Sequence, residues 1–183
     1  RRVLTNPTRT GFLEVLRDQG GGVVADPKGE QGGEPVANLH VGVGDTGALR
    51  RGARVGGELS VRCLDEVPVL VAAAAVSPGE SVFDDLAELR VKESDRLEAL
   101  SAMLSAFGVS HAVTPAGLRV QGGRVRGGAV VQSRGDHRIA MAAAVLALAA
   151  EGETVIEDVA CVDTSDPGFA QTFRGLGGTL EEE

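Results

Sequence analysis

The sequence predicts a mixed α/β domain built from a repeated unit of strand, helix, strand, helix and a closing pair of strands. Two observations lead there. Residues 78–86 (Pro-Gly-Glu-Ser-Val-Phe-Asp-Asp-Leu) match residues 151–159 (Glu-Gly-Glu-Thr-Val-Ile-Glu-Asp-Val) at an offset of 73, and each copy follows an Ala-rich apolar stretch. Three amphipathic segments also run into a glycine: 12–19 before Gly20, 95–107 before Gly108 and 168–176 before Gly177. A glycine just past the last periodic residue stops a helix because it enters the left-handed region without strain.

The elements follow in order. In the first unit the helix at 12–19 precedes strands expected around 23–24, 39–43 and 59–62. The second unit opens with the Ala-rich helix 67–77. The matching strand segment comes next, and then a helix at 95–107, where Leu97, Leu100, Met103, Leu104 and Phe107 recur at helical spacing. Strands are expected at 111–114, 118–121 and 129–132. The third unit has a helix at 138–150, a strand in 151–159 and a last helix at 168–176, where Phe169, Phe173 and Leu176 share a face. The first copy lacks its opening helix and the last stops after its second, so the expectation is a piece of a longer protein. No low-complexity linker interrupts the chain, and one domain is expected.

The bulk numbers agree. A chain of 183 residues with 43% hydrophobic and 24% charged residues suffices for one packed core. Aromatics are only 3%, without Trp or Tyr, so the core must be Ala, Val and Leu, and a base-stacking platform is not expected. The net charge of −8 argues against nucleic acid as a partner. The longest apolar run, 139–150, is shorter than the ~18 residues of a membrane span, so no membrane partner is expected. Cys63 and Cys161 have no metal-ligand spacing and read as reduced, buried thiols of a cytoplasmic protein; no metal is expected.

Three places bring charge to the start of a helix. Asp65-Glu66-Val67-Pro68 is sound capping chemistry, with an Asp cap and a Pro in the first turn. Arg90-Val91-Lys92-Glu93-Ser94-Asp95-Arg96 puts five charges into seven residues ahead of an amphipathic helix. A solvated helix start accounts for Glu93 and Asp95, which favour the helix dipole, but not for Arg90, Lys92 and Arg96. Cations there are disfavoured unless an anion joins them, and a bound phosphate or carboxylate would supply one. Gly135-Asp136-His137-Arg138 repeats the pattern, and the offset of 73 sets Arg138 opposite Asp65, so the two helix starts are expected to face one cleft. With sixteen arginines against two lysines, Lys28 and Lys92 are unusual choices. His40 and His111 read as structural, and Asn6-Pro7-Thr8-Arg9-Thr10-Gly11 reads as turn chemistry at the start of a helix. The residues alone give an anion site of Arg, Lys and helix N-termini, with Asp65 and Glu93 available for proton transfer.

The same segments resemble the 5-enolpyruvylshikimate-3-phosphate synthase family. Residues 90–96 look like its main signature and Asp136-His137-Arg138-Ile139-Ala140-Met141 like its second. Residues 6–11, residues 65–68 and Ser165-Asp166-Pro167-Gly168-Phe169 resemble further motifs in the same order. The resemblance implies the enolpyruvyl transferase fold, an inside-out α/β barrel of two domains, each of three βαβαββ units. It places residues 1–10 at the interdomain crossover and residues 11–183 in the C-terminal domain. The implied partners are shikimate 3-phosphate, phosphoenolpyruvate and the N-terminal domain of the same enzyme, which is expected to be a cytoplasmic monomer without a cofactor. The isolated chain is expected to be inactive.

By resemblance, Asp65, Lys92 and Glu93 are catalytic. Asp65, Lys92 and Glu88 contact shikimate 3-phosphate, and Glu88 stands where some relatives carry Asn. Arg96, Arg138, Lys92 and His137 contact phosphoenolpyruvate. Thr164, or Asp163, stands where many relatives carry a loop lysine, and Asp166 replaces the usual Phe. The related UDP-N-acetylglucosamine enolpyruvyl transferases share fold and chemistry; the 90–96 stretch argues for the shikimate enzyme.

Overall fold

The computed structural model describes residues 2–43 and 49–181. Its elements are β1 (Val3–Leu4), α1 (Gly11–Asp18), β2 (Gly21–Gln31), β3 (Glu34–Val43), β4 (Arg54–Val55), α2 (Glu58–Arg62), α3 (Val67–Val76), β5 (Gly79–Phe83), α4 (Arg96–Ala106), β6 (Ser110–Thr114), β7 (Gly117–Gly122), β8 (Val130–Gln132), α5 (His137–Ala147), β9 (Val155–Glu157), α6 (Ala160–Ser165) and α7 (Phe169–Gly175).

The middle repeat is complete. β4, α3, β5, α4, β6 and β7 form one βαβαββ unit, with strand order β4-β5-β7-β6. β4 and β5 run parallel across the α3 connection, and β5, β7 and β6 pair antiparallel. The chain enters the preceding unit late, with β1-β3-β2 as an antiparallel sheet around α1. It leaves the following unit early, with β8 and β9 parallel across α5.

The Ala-rich helices lie inside. In α3, Val67, Leu70, Val71, Ala72, Ala74 and Ala75 are buried; in α5, Ile139, Ala140, Ala142, Ala143, Ala144 and Leu146 are. The two helices pack on each other, and small side chains let them approach closely. A helix apolar all round is a core element, which explains the absence of a polar stripe. One hydrophobic cluster runs from Val15 through Phe83, Phe107 and Leu118 to Leu146. The three expected helix stops hold: Gly20, Gly108 and Gly177 all have positive φ.

One expected strand is wrong. Residues 59–62 lie in α2, and the strand of that region is β4. Leu59-Ser60-Val61-Arg62 alternates like a strand, yet Gly57 turns the chain with φ of 59° and Glu58 opens a helical turn. Ser60 is buried, its hydroxyl donating to the Asp84 carbonyl, while Val61 faces solvent. The thiols also differ from expectation: Cys63 is buried, but Cys161 is partly exposed.

Candidate active site

Three chain segments bring charge to one face. Asp65 lies in a 3-10 turn, Leu64–Glu66, ahead of α3. Lys92 follows another, Ala87–Val91, and leads through Glu93 and Ser94 to α4. Asp95 caps α4 by accepting from the Glu98 amide, and Asp136 caps α5 by accepting from the Arg138 amide. Because α3 and α5 are equivalent elements of successive repeats, their N-termini open side by side. Arg138 Nη1 donates to the Asp65 carbonyl at 2.6 Å.

Asp65 is the centre of the cluster. Its Oδ2 accepts from Arg9 Nη1 at 2.8 Å and lies 3.9 Å from Arg138 Nη2. Its Oδ1 faces Lys92 Nζ at 3.9 Å and Arg96 Nη1 at 3.8 Å. Burial pushes this carboxyl toward its neutral form, but the Arg9 hydrogen bond, with Arg138 and Lys92, outweighs that and holds it below the usual aspartate range. Its neighbour Glu66 is shifted the other way. Burial raises it, and the Asp65 charge adds to that against the opposing pull of Arg138.

The other expected residues join through these cations. Glu88 Oε1 accepts from Lys92 Nζ at 2.6 Å, and Glu93 Oε2 from Arg96 Nη2 at 2.6 Å. His137 opens α5 beside Arg138 and is half-buried. Thr164 and Asp163 lie on α6, where the Thr164 hydroxyl donates to the Cys161 carbonyl.

The buried side of the cluster explains two of the unexpected cations. Arg96 is 1% exposed and donates from Nε to Asp136 Oδ2 at 2.8 Å and from Nη2 to Oδ1 at 3.3 Å. Asp136 is fully buried and also accepts from Ser94 Oγ at 3.0 Å. Burial would raise the Asp136 carboxyl, but the Arg96 hydrogen bonds and charge, with Ser94, hold it low. The anion that the start of α4 calls for is thus, on this side, a protein carboxylate. Arg90 is spent on structure: it bonds Asp95 and the carbonyls of Thr114 and Pro115, pinning the β6–β7 turn.

Arg9, Ser94 and Asp136 lie within motifs of the sequence, but no site role is expected of them there. Asp136 carried a signal, because a cap residue preceding a cation at a helix start is a ready partner for the cation of the neighbouring helix. Arg9 lay in the motif of residues 6–11, but nothing there pointed to Asp65, which lies 56 residues on.

Among the described residues, no group of His, Cys, Asp or Glu is arranged to hold a metal ion. No described helix is long and apolar enough to cross a membrane. The chemical capacity of the face is a carboxylate kept ionised among cations, with Arg138 and Lys92 partly exposed to solvent.

The family model for EPSP synthase (3-phosphoshikimate 1-carboxyvinyltransferase) matches residues 2–173. The chain belongs to the EPSP synthase family. The 3-phosphoshikimate 1-carboxyvinyltransferase of Desulforudis audaxviator is 48% identical over 93% of this chain, and that of Herpetosiphon aurantiacus 45% over the same share. The chain spans 39% of the length of each of these two curated relatives. An EPSP synthase structure from Acinetobacter baumannii superposes with a TM-score of 0.90 at 34% identity, covering 98% of this chain and 41% of that one. The enolpyruvyl transferase NikO of Streptomyces tendae, 19% identical with a TM-score of 0.63, covers 94% of this chain and 36% of its own and shares the fold. The expected enolpyruvyl transferase fold therefore stands, and the three repeats, one complete and two partial, are part of an EPSP synthase-family fold.

Proposed function

We propose that the protein carrying this chain transfers the enolpyruvyl group of phosphoenolpyruvate to the 5-hydroxyl of shikimate 3-phosphate, with this chain as its C-terminal domain. The observation that carries the reading is the placement of Lys92 and Arg138, both partly exposed, beside the two carboxylate oxygens of Asp65. A phosphate or carboxylate entering this face meets cations already held in place, which is electrostatic preorganisation.

In the addition stage the 5-hydroxyl attacks C2 of phosphoenolpyruvate, giving up its proton to Asp65 while C3 takes a proton from Glu93. In the elimination stage C3 gives a proton back to Glu93, those electrons restore the C2–C3 double bond, and the C2–O bond breaks with its electron pair leaving on phosphate. Lys92 contacts the 5-hydroxyl and the leaving phosphate, where a compact ammonium suits better than a planar fork. Arg138 and Arg96 clamp the phosphoenolpyruvate, a forked guanidinium matching its carboxylate. His137 stands beside Arg138 as a further contact, and Glu88 receives a substrate hydroxyl once Lys92 has turned to the ligand. The N-terminal domain completes the site, so the 183 residues alone do not turn over. The whole enzyme works as a cytoplasmic monomer.

The test is phosphate release from phosphoenolpyruvate by the complete polypeptide. Release is expected only with shikimate 3-phosphate; release with UDP-N-acetylglucosamine instead would reject the acceptor.

A further inference from the structure

We infer that Arg9 is a positioning residue for Asp65: it occupies Oδ2 and leaves Oδ1 turned toward Lys92 and Arg96 as the acceptor for the substrate hydroxyl. The inference rests on the reaction proposed above and adds a residue to it.

The geometry divides the carboxylate into two ends. Oδ2 takes the short bond from Arg9 Nη1 at 2.8 Å. Oδ1 lies 3.8–3.9 Å from Arg96 Nη1 and Lys92 Nζ, beyond hydrogen-bond distance but inside their field. A base that must receive a proton at a fixed point needs one oxygen held and the other open. Arg9 has the right reach because Asn6 fixes the turn that carries it: the Asn6 side chain accepts from the Thr8 amide, and the Arg9 amide bonds the Asn6 carbonyl. Its guanidinium stays 70% exposed, so the contact is not forced by packing.

Every charged group around the carboxylate bears on its proton affinity. Arg9, Arg138, Lys92 and Arg96 favour the ionised form. Glu66 beside it opposes that, while Glu88 and Glu93 draw off part of the charge of Lys92 and Arg96. Arg9 alone makes a side-chain hydrogen bond to Asp65 among the described residues, so its removal weakens the ionised form most directly.

The experiment is the pH dependence of kcat/KM for phosphate release by the complete polypeptide, comparing the unaltered enzyme with Arg9→Gln and Arg9→Lys. The acid limb reports the free enzyme's essential base. In Arg9→Gln that limb is expected to move to higher pH, so that the rate on the limb falls about threefold or more while the plateau changes by less than about twofold. Arg9→Lys, which keeps the charge, is expected to hold the limb near its original place. A limb that stays put in Arg9→Gln overturns the inference. So does equal loss across all pH in both variants, which would place Arg9 directly on the substrate. If the unaltered enzyme releases no phosphate with shikimate 3-phosphate, it is the proposed reaction that fails, and the two failures are distinct.

Discussion

Arg138 reaches back across one full repeat to donate to the backbone carbonyl of Asp65 at 2.6 Å. The two residues occupy matching helix starts, so the repeat itself brings carboxylate and cation together. Replacing Arg138 by Gln removes a charge-assisted contact worth about 2 kcal/mol. The expected result is a loss of roughly 30-fold in kcat/KM, felt mainly in KM for phosphoenolpyruvate. Steady-state kinetics on the complete polypeptide checks it.

Asp136→Ala leaves Arg96 buried with its main partner gone. Breaking a buried ion pair from one side costs about 3–5 kcal/mol. Denaturant unfolding should show that loss, and Ser94→Ala, which removes one charge-assisted hydrogen bond to the same carboxylate but leaves Arg96 paired, should cost less, about 1.5–2 kcal/mol.

The same pair sets an acid limit on stability. The Asp136 carboxyl is depressed below its ordinary value of 3.8, so its contribution is fully present above that value. It is lost as pH falls through the lower folded value. Asp65, also depressed, adds a loss of the same sign. Unfolding free energy should therefore fall on acidification below the ordinary aspartate range, and less steeply in Asp136→Asn.

The two thiols should react unequally. Burial pushes Cys63 up to about 11, so almost none of it is thiolate near neutral pH, while Cys161 is partly exposed. A chromogenic disulfide reagent should titrate one thiol quickly in the native chain and two in denaturant. Two fast thiols in the native chain would contradict the core as described.

Much of this was legible beforehand for a physical reason: the matching segments mark equivalent elements, and glycine stops and helical spacing mark the ends. Residues 67–77, 95–107 and 111–121 needed only local chemistry. Residues 59–62 failed because four residues of alternation cannot be told from one amphipathic helical turn, and Gly57 decided the matter. Lys92, Arg96 and Arg138 stood out as cations where a helix dipole disfavours them. The offset of 73 also set Arg138 opposite Asp65, but sequence could not supply the partners of Arg96 and of the Asp65 carboxylate. Arg96 is held by Asp136 from another repeat, and Asp65 by Arg9 from a turn 56 residues earlier. Those pairings are long-range and follow from the packing of the repeats.

The most direct test of the proposed reaction is phosphate release from phosphoenolpyruvate in the presence of shikimate 3-phosphate, by the complete polypeptide and its Lys92→Met variant. Lys92 lies between Glu88 and Asp65 at 2.6 and 3.9 Å and is partly exposed, so its loss should not disturb the fold. The proposed reaction predicts acceptor-dependent release that falls at least about 100-fold in the variant, with unfolding unchanged. Release at an undiminished rate in a folded Lys92→Met protein would contradict it and move the chemistry away from this face.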